Sequence, residues 1–364
     1  MRVVWQTAAG VRRSGVPAGH PSGPGRVARP RIRARAPLRI SFAGGGTDVP
    51  PFPALEGGCV LSATIDRYAH GSLVPRGDRR VSVESVDFKT TTEMTLDSEI
   101  LCDGSLDLIK AAVRRFGRDG TDGYDLVLRS NAPPGSGLGS SSTMMVALTG
   151  LLAAHYGVDL GAYQMAQLAW GIELEDLGIA GGMQDQYAAT FGGFNFIEFG
   201  DRVIVNPLRI RDETTLELEL SLLLCFTGIT RDSARVIEDQ TRRAATGAGE
   251  TLAGLRAQKE LAVAMKAALL TGELNEFGSL LGEAWTQKKR MSPFISNSRV
   301  DELYELARRK GALGGKITGA GGGGYILLYC DFTRKHRVID ALEHAGASVA
   351  EFAFDSRGLT TWQA

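Results

Sequence analysis

Several features that mark particular classes of protein are absent from this chain of 364 residues. It has only 4 cysteines, which are Cys59, Cys102, Cys225 and Cys330. Because they stand singly, they form neither a paired zinc motif nor a dense disulfide framework. No apolar run reaches the roughly 18 residues that a membrane-spanning helix needs. The 41 basic and 41 acidic residues balance, which argues against a nucleic-acid or membrane partner. These absences favour a cytoplasmic enzyme with reduced thiols.

Acidic residues are missing from the start of the chain, where none occurs before Asp48. Residues 1–30 are rich in Gly, Pro and Arg and lack the apolar core of a secretory signal. A transit peptide or a nucleic-acid tail has a similar composition. We interpret the segment instead as a disordered basic leader or the product of an upstream start codon, and expect the folded enzyme to begin near Arg31.

The run PPGSGLGSSST, from Pro133 to Thr143, is the strongest candidate for a ligand site. Glycine lets the backbone approach a ligand closely, and a helix predicted over Ser140–Tyr156 would present its positive N-terminal end there. An ordinary glycine turn with a serine cap is the alternative. The run is not a P-loop, because no GK[ST] follows, and its spacing does not match a dinucleotide fingerprint. It predicts a phosphate cradle formed by Pro134, Gly135, Ser136, Gly137, Leu138, Gly139, Ser140, Ser141 and Ser142.

Two further glycine clusters adjoin strand-like runs. The segment RIRARAPLRISFAGGGTDVPPF alternates apolar and basic residues up to Phe42 and then breaks at Gly44–Gly46. The segment GGKITGAGGGGYILLYC has its glycines before an apolar run that is typical of a buried strand. Both patterns indicate a strand that meets a ligand-facing turn.

Together, these three motifs resemble the GHMP kinase family, and the resemblance extends from about Arg31 to the C-terminus. It implies an α+β, two-domain GHMP kinase fold, with the active site in the inter-domain cleft and ATP in the phosphate cradle. The pattern of strand-like and helix-like runs begins anew near residues 200–215. This change predicts two domains, at 31–205 and 206–364. Within the family, PLRISFAGGGTD, LGIAGGMQDQYAATFGGFNFIEF and KITGAGGGG are most similar to kinases of D-glycero-D-manno-heptose 7-phosphate. A galactokinase would more often show a GEHTDY-like string at the first motif.

Periodicity also predicts individual elements outside the motifs. The pattern indicates helices near 106–116, 162–177, 252–289, 300–310 and 335–345. It indicates strands near 31–42, 69–74, 80–85, 124–129, 193–199, 216–226 and 324–330.

The resemblance assigns catalytic roles to two residues. Asp185 in GGMQDQY matches the family's catalytic aspartate, which accepts a proton from the acceptor hydroxyl or orients it. An aspartate in a glycine-rich loop is otherwise usually a turn residue. Arg39 matches the basic residue of the first motif, which points toward the transferred phosphoryl group and stabilises the catalytic carboxylate; the alternative is an edge-strand arginine.

A magnesium ion is implied together with ATP. Glu173 lies twelve positions before Asp185, as the family's magnesium-binding glutamate does. Magnesium prefers few carboxylates together with waters and phosphates, so Glu173 and the Ser141 hydroxyl form a plausible partial shell. Glu175 and Asp176 are rivals, and a solvated helix face is the alternative for all three.

Substrate contacts are expected from both outer motifs. Asp48 matches a residue that hydrogen-bonds sugar hydroxyls, and the expected set is Gly45, Gly46, Thr47, Asp48, Gly319, Ala320, Gly321 and Gly322. A substrate phosphate needs a basic anchor, because an unpaired dianion is costly to desolvate. Lys288, in the cluster Lys288–Arg290, is the first choice, Arg231 is the second, and a structural role at a helix end is the alternative.

The resulting functional prediction is an ATP- and magnesium-dependent sugar kinase acting as a monomer or homodimer. It would phosphorylate the anomeric hydroxyl of D-glycero-D-manno-heptose 7-phosphate to give the 1,7-bisphosphate. Two alternatives stay open: a kinase for an unphosphorylated sugar, such as fucose or another hexose, and a non-catalytic sugar or nucleotide sensor.

Overall fold

The computed structural model of the protein describes residues 30–117, 122–230 and 233–364. The predicted leader lies outside these ranges except for Pro30, and Arg231 also lies outside them.

Helices and strands are interspersed along the described chain. The strands are β1 (Ile32–Ala43), β2 (Gly58–Pro75), β3 (Arg80–Ser85), β4 (Thr90–Thr95), β5 (Tyr124–Ser130), β6 (Phe194–Phe199), β7 (Val203–Pro207), β8 (Leu222–Phe226), β9 (Ala312–Ile317), β10 (Tyr325–Cys330), β11 (Ser348–Ala350) and β12 (Thr360–Gln363). The helices are α1 (Phe52–Glu56), α2 (Asp107–Phe116), α3 (Ser140–Tyr156), α4 (Ala162–Gly171), α5 (Gln184–Phe191), α6 (Asp212–Ser221), α7 (Ser233–Ala245), α8 (Gly249–Thr271), α9 (Leu274–Lys289), α10 (Ser298–Lys310) and α11 (Phe332–His344).

The first sheet is organised around the long strand β2. The strand order is β12-β1-β2-β5-β3-β4, and β6 and β7 continue the sheet from the other half of β2. Residues 58–63 of β2 pair with β6, whereas residues 69–75 pair with β5. Helices α2 and α3 cover one face of this sheet, where their apolar side chains join those of β1, β2 and β5 in one core cluster.

The second sheet has the order β11-β8-β10-β9. A continuous apolar core joins the two sheets: Phe42 of β1, Met265 of α8, Phe277 of α9 and Leu327 of β10 belong to one buried cluster. Helices α8 and α9 therefore lie between the sheets. The observed architecture confirms the predicted α+β fold class, with two sheets and mixed helical layers.

The last strand returns to the first sheet. Residues 360–363 form β12, which pairs antiparallel with residues 32–35 of β1. The end of the chain therefore packs with the predicted N-terminal domain, whereas the sequence-based division places it in domain 206–364. The boundary between 205 and 206 itself stays a proposal.

Most predicted elements are confirmed, and helix α3 has the predicted bounds, because glycines in left-handed conformation flank it at Gly139 and Gly157. The strand predicted over 216–226 is wrong in its first half, which is the end of helix α6. Alternating leucines suggested a strand, but Thr214, Leu218 and Ser221 are buried at helical spacing while Leu216 and Leu220 are exposed. Acidic residues in the first turn of α6 also favour the helix.

Candidate active site

A cavity of about 380 Å³ opens where the two sheets and their loops meet. The N-terminus of α3, the turn after β1 and the loop before α5 line it from the first half of the chain. Helices α7 and α9 and the loop after β9 line it from the second half. The cavity therefore lies in the cleft that the sequence predicted for the active site.

The phosphate cradle forms one end of this cavity. Helix α3 begins after Gly139 without a side-chain cap, so the amides of its first turn have no side-chain partner. Such amides and the helix dipole attract an anion. Six of the nine predicted cradle residues line the cavity: Gly135, Gly137, Gly139, Ser140, Ser141 and Ser142. Pro134, Ser136 and Leu138 do not, because Ser136 and Leu138 are buried in the packing below and Pro134 is exposed outside the cavity lining.

The cradle packs directly against the glycine loop of the second half. A Cβ at Gly137, whose φ is +83°, would lie 2.6 Å from the carbonyl oxygen of Thr318. The amide of Tyr325 also donates to the carbonyl of Ser136 at 3.0 Å. Gly319 and Ala320 consequently line the cavity. Gly321 and Gly322 do not, because they pack against Ile295, so the cavity lining does not support their predicted substrate contact.

Arg39 and Asp185 form a bidentate ion pair next to the cradle. Arg39 donates from Nε to Oδ1 of Asp185 at 2.7 Å and from Nη2 to Oδ2 at 2.8 Å. Its Nη1 donates to the carbonyl of Gly137 at 2.7 Å, so the same guanidinium holds the cradle loop. Arg39 is buried, whereas the side chain of Asp185 keeps 20% exposure and lines the cavity. The pair therefore presents a fixed carboxylate next to the α3 N-terminus.

Glu173 lies beside this pair with one oxygen unused. Its Oε2 accepts hydrogen bonds from Ser142 Oγ at 3.0 Å and from Gln186 Nε2 at 2.7 Å. Its Oε1 is buried and has no hydrogen-bond partner among the residues that the structure describes. Burial, with a smaller contribution from the nearby Asp185 charge, raises the pKa of Glu173 to about 7. A buried carboxylate oxygen without a partner suits a cation as its ligand.

The backbone that carries Glu173 departs from the predicted continuous helix over 162–177. Helix α4 ends at Gly171, and residues 172–176 form a π-helical turn, a feature frequently found at functional sites. Ser142 contacts Glu173, whereas Ser141 lines the cavity without a hydrogen bond to it. Of the rivals, Glu175 and Asp176 bond to Arg115 instead.

Asp48 is fully buried and is held by its own turn and by the N-terminus of α5. It accepts hydrogen bonds from the amides of Gly46 at 2.9 Å and Gln184 at 3.1 Å, and from the side chain of Gln184. Burial raises the pKa of Asp48, although the backbone hydrogen bonds oppose the shift. A Cβ at Gly182 would lie only 1.9 Å from Asp48 Oδ2, so this close approach requires glycine. Gln184 was not predicted as a site residue.

Of the predicted substrate residues in the turn after β1, some line the cavity and one does not. Gly45 and Gly46 line the cavity together with Asp48. Thr47 does not, because its hydroxyl donates toward the carbonyls of Gly44 and Cys59 and accepts from the amide of Cys59. Thr47 therefore fixes the turn against β2, and the cavity lining does not support its predicted contact with substrate.

Two lysines lie buried at the other side of the cavity. Lys288 lines the cavity and is 3% exposed, and among the described residues its amine has no hydrogen-bond partner. Burial lowers the pKa of Lys288 to about 8, against a smaller opposing effect of the Asp48 charge. Lys316 is 1% exposed and donates to the carbonyl of Ser41 at 2.7 Å. Burial, reinforced by Lys288 and Arg39, holds the pKa of Lys316 well below its usual range.

The remaining cations of the predicted cluster point elsewhere. Lys289 pairs with Asp301, and Arg290 pairs with Glu250. Only Lys288 of the three lines the cavity.

Helix α7 supplies a wall that the sequence did not predict. Ala234, Ile237 and Gln240 recur every three residues and line the cavity. Gln240 donates from Nε2 to the carbonyl of Gly46 at 3.2 Å, across 194 positions of sequence. No composition or spacing signal marks such a contact, because it depends on how the two halves pack.

Comparisons with known proteins agree with this geometry. The description "GHMP kinases N terminal domain" matches residues 107–193, and "GHMP kinases C terminal" matches residues 265–348. A D-glycero-alpha-D-manno-heptose 7-phosphate kinase from Campylobacter jejuni is 41% identical over 337 residues, which cover 91% of this chain and 99% of the relative. The chain belongs to the GHMP kinase family.

Solved structures support the same conclusion. A D-glycero-D-manno-heptose 1-phosphate kinase from Bacteroides thetaiotaomicron has a TM-score of 0.77 and 34% identity, covering 92% of this chain and 99% of that one. A Lactococcus lactis galactokinase in complex with galactose has a TM-score of 0.73 and 22% identity over 91% of this chain and 95% of that one, and shows the fold alone. The two-domain GHMP kinase fold is thereby confirmed.

Membership of this family establishes an ATP-dependent sugar kinase and confirms the predicted enzyme class. Within the described ranges, no helix is both long and apolar enough to cross a bilayer.

Proposed function

We propose that the protein transfers the γ-phosphoryl group of ATP to the anomeric hydroxyl of D-glycero-D-manno-heptose 7-phosphate, giving the 1,7-bisphosphate. One observation carries this proposal: a single cavity joins an uncapped helix N-terminus to a buried carboxylate and a buried unpaired ammonium group. The first suits nucleotide phosphates. The second and third suit a polyhydroxylated acceptor that already carries an anion.

Asp185 is proposed as the catalytic carboxylate. Phosphoryl transfer depends mainly on positioning and on stabilisation of charge. Because both oxygens of Asp185 are bound by Arg39, the carboxylate is held in place while its remaining lone pairs can receive the acceptor hydroxyl. Asp185 adjoins Gly139 at the cradle and follows Gln184, the partner of Asp48, so it lies between the proposed nucleotide and sugar positions.

The residues around Glu173 fit a magnesium ion. Its buried, unpartnered Oε1 would act as a ligand, and the hydroxyls of Ser141 and Ser142 are candidates for the same shell. Magnesium bound with ATP would neutralise charge on the phosphates. In the protein, Ser142 and Gln186 keep the carboxylate of Glu173 in place.

Asp48 and Lys288 are proposed to bind the acceptor. Asp48 would accept hydrogen bonds from sugar hydroxyls, because Gly46 and Gln184 fix its orientation. Lys288 would pair with the phosphate of the acceptor, since its amine has no hydrogen-bond partner in the described structure. Arg231, the second candidate for that anchor, lies outside the described residues.

The position of the acceptor's phosphate separates the candidate substrates. The relative from Campylobacter jejuni is named a 7-phosphate kinase, whereas the structural neighbour from Bacteroides thetaiotaomicron is named a 1-phosphate kinase. The first is the more similar in sequence, with 41% against 34% identity, and this favours the 7-phosphate as acceptor.

An acceptor panel tests the proposal. Purified protein with ATP and magnesium would be supplied in turn with heptose 7-phosphate, heptose 1-phosphate, free heptose, fucose, galactose and mevalonate. We expect selective turnover of heptose 7-phosphate, with the new phosphorus signal of the product at the anomeric position. Preference for a free sugar would contradict the proposed binding of the acceptor's phosphate by Lys288. Binding of a sugar without any turnover would favour a sensor.

A further inference from the structure

Gln240 of helix α7 is oriented by the turn that carries Asp48. Its Nε2 donates to the carbonyl of Gly46 at 3.2 Å. A carbonyl oxygen accepts only from the NH₂ group of an amide, so this hydrogen bond assigns the positions of Nε2 and Oε1 in the Gln240 side chain. The carbonyl oxygen Oε1 of Gln240 therefore faces away from Gly46 O.

This oxygen has no hydrogen-bond donor among the described residues. Gln240 is only 6% exposed, yet it lines the cavity. An amide oxygen without a protein donor takes its hydrogen bond from water or from a ligand. Its position in the cavity wall gives a ligand hydroxyl access to it.

Gln240 and Asp48 also belong to one chain of hydrogen bonds. Gln240 donates to the carbonyl of Gly46, and the amide of Gly46 donates to Asp48 Oδ1 at 2.9 Å. The two side chains thus bind the backbone of a single residue, Gly46, one from each half of the molecule. Both present acceptor oxygens, which match the hydroxyl donors of a sugar.

The neighbouring residues of α7 suit the same ligand class. Ala234 and Ile237 line the cavity on the same face of the helix as Gln240. A sugar presents both hydroxyl groups and an apolar C–H face, so one polar and two apolar side chains at helical spacing complement it.

We propose that Gln240 is a specificity-determining residue that accepts a hydrogen bond from a hydroxyl of the sugar acceptor through Oε1. This inference rests on the proposed function and deepens it, since it assigns α7 to recognition of a polyol. The contact would favour acceptors that carry the hydroxyl over deoxy sugars, because a deoxy sugar leaves the amide oxygen without a donor.

The proposed hydrogen bond is tested by changing the side chain and the sugar hydroxyl separately and together. The enzyme with Gln240→Met, which keeps the size but removes the amide, would be compared with the unmodified enzyme on heptose 7-phosphate and its 2-, 3- and 4-deoxy analogues. We expect kcat/KM on the parent sugar to fall about tenfold or more, with little further loss on the one analogue that lacks the contacted hydroxyl. Gln164→Met on α4 is the matched control, because Gln164 bonds only to the amide of Gly161 at the exposed start of that helix.

The outcomes are distinguishable. A purely structural role for Gln240 would lower kcat/KM by the same factor on the parent and every analogue, and this would overturn the inference. Nucleotide titration would show whether the Gln240→Met variant has lost its fold or its ATP binding. In that case Gln240→Glu, which keeps an acceptor oxygen, would be used instead. We expect the Gln240→Glu variant still to prefer the parent sugar over the analogue that lacks the contacted hydroxyl. If the unmodified enzyme phosphorylates none of these sugars, the proposed acceptor class fails instead.

Discussion

The two sides of the cavity satisfy their buried charges in different ways. On the transfer side, which comprises the α3 N-terminus, Arg39, Asp185 and Glu173, the guanidinium of Arg39 is bonded to Asp185 and to the cradle loop. On the acceptor side, which comprises Asp48, Lys288, Lys316 and Gln240, Lys288 has no hydrogen-bond partner among the described residues.

This difference indicates which parts are complete before a ligand binds. A preorganised ion pair stabilises developing charge without rearrangement during the reaction. A buried ammonium group without a partner is costly, and an anionic ligand would remove that cost. The Arg39–Asp185 pair of the transfer side therefore has the features of fixed machinery, whereas Lys288 of the acceptor side has those of a group that substrate completes.

The largest effect is expected from breaking the transfer side with Asp185→Asn. Removal of the carboxylate should lower kcat by roughly 10²- to 10⁴-fold, because general-base and orienting groups contribute on that scale. Affinity for ATP, measured by titration, should change little. Asp201→Asn, at an exposed position outside the cavity, is the control. Near-normal turnover in the Asp185 variant would exclude its proposed role.

The acceptor side is tested by Lys288→Met. We expect kcat/KM for heptose 7-phosphate to fall roughly 10- to 100-fold, the scale of a hydrogen bond to a charged group. Turnover of free heptose should be almost unchanged, and thermal stability should not fall because a buried unpaired charge is removed. Lys289→Met, at the exposed neighbour paired with Asp301, is the control. Equal loss on both sugars would contradict phosphate anchoring by Lys288.

A smaller effect is expected from Glu173→Gln, which removes a charge at nearly constant shape. The magnesium concentration needed for half-maximal activity should rise by about tenfold, since magnesium binds carboxylates better than amides. The same titration with Glu175→Gln, whose carboxylate pairs with Arg115 at the surface, should resemble that of the unmodified enzyme. An unchanged magnesium requirement in the Glu173 variant would remove that residue from the metal shell.

The KM for heptose 7-phosphate should depend on pH through the charge of Lys288 on the acceptor side. The pKa of Lys288 is lowered to about 8, so its charge is present below that pH and is lost as the pH rises through it. We expect the KM for heptose 7-phosphate to rise severalfold between pH 7 and pH 9. Lys288→Arg should abolish this trend, because a guanidinium stays protonated throughout. In the apo protein, the buried charged lysine costs stability below pH 8, and this cost is relieved as the pH rises.

The smallest effect on catalysis is expected at Thr47. Thr47→Val removes a hydroxyl that bonds to the backbone of Gly44 and Cys59, and should lower the free energy of unfolding by about 1 to 3 kcal/mol. The KM for the sugar should stay within about twofold, because Thr47 does not line the cavity. Urea unfolding and steady-state kinetics measure the two effects. A large KM change at constant stability would restore the original substrate-binding prediction.

The catalytic and metal-binding roles on the transfer side come from the family resemblance and stay proposals, but the sequence predicts the local structure of that side well. Its residues lie in short motifs, and local rules apply to them: glycines mark the turn, and the apolar run after Ser140 marks helix α3. The π-helical turn at Glu173 was missed because backbone geometry within a helix leaves no periodic signal.

The acceptor side depends on tertiary packing and was predicted only in part. Asp48 and Lys288, which were predicted to bind substrate, both line the cavity. Gln184 and Gln240 also line it but were not predicted, since an uncharged amide has no distinctive spacing. Thr47 belongs to the same motif as Gly46 and Asp48, which line the cavity, but its own hydroxyl is bound to β2. Lys316 was not predicted as a site residue either, because only the fold shows that β9 carries it into the interior, where it reaches Ser41.

The division between the two sides is tested most directly by calorimetric titration of heptose 7-phosphate into the Asp185→Asn and Lys288→Met variants without nucleotide. The account predicts affinity within a few-fold of the unmodified enzyme for Asp185→Asn and a loss of roughly tenfold or more for Lys288→Met. Equal affinity in the two variants, or a greater loss in Asp185→Asn, would contradict it.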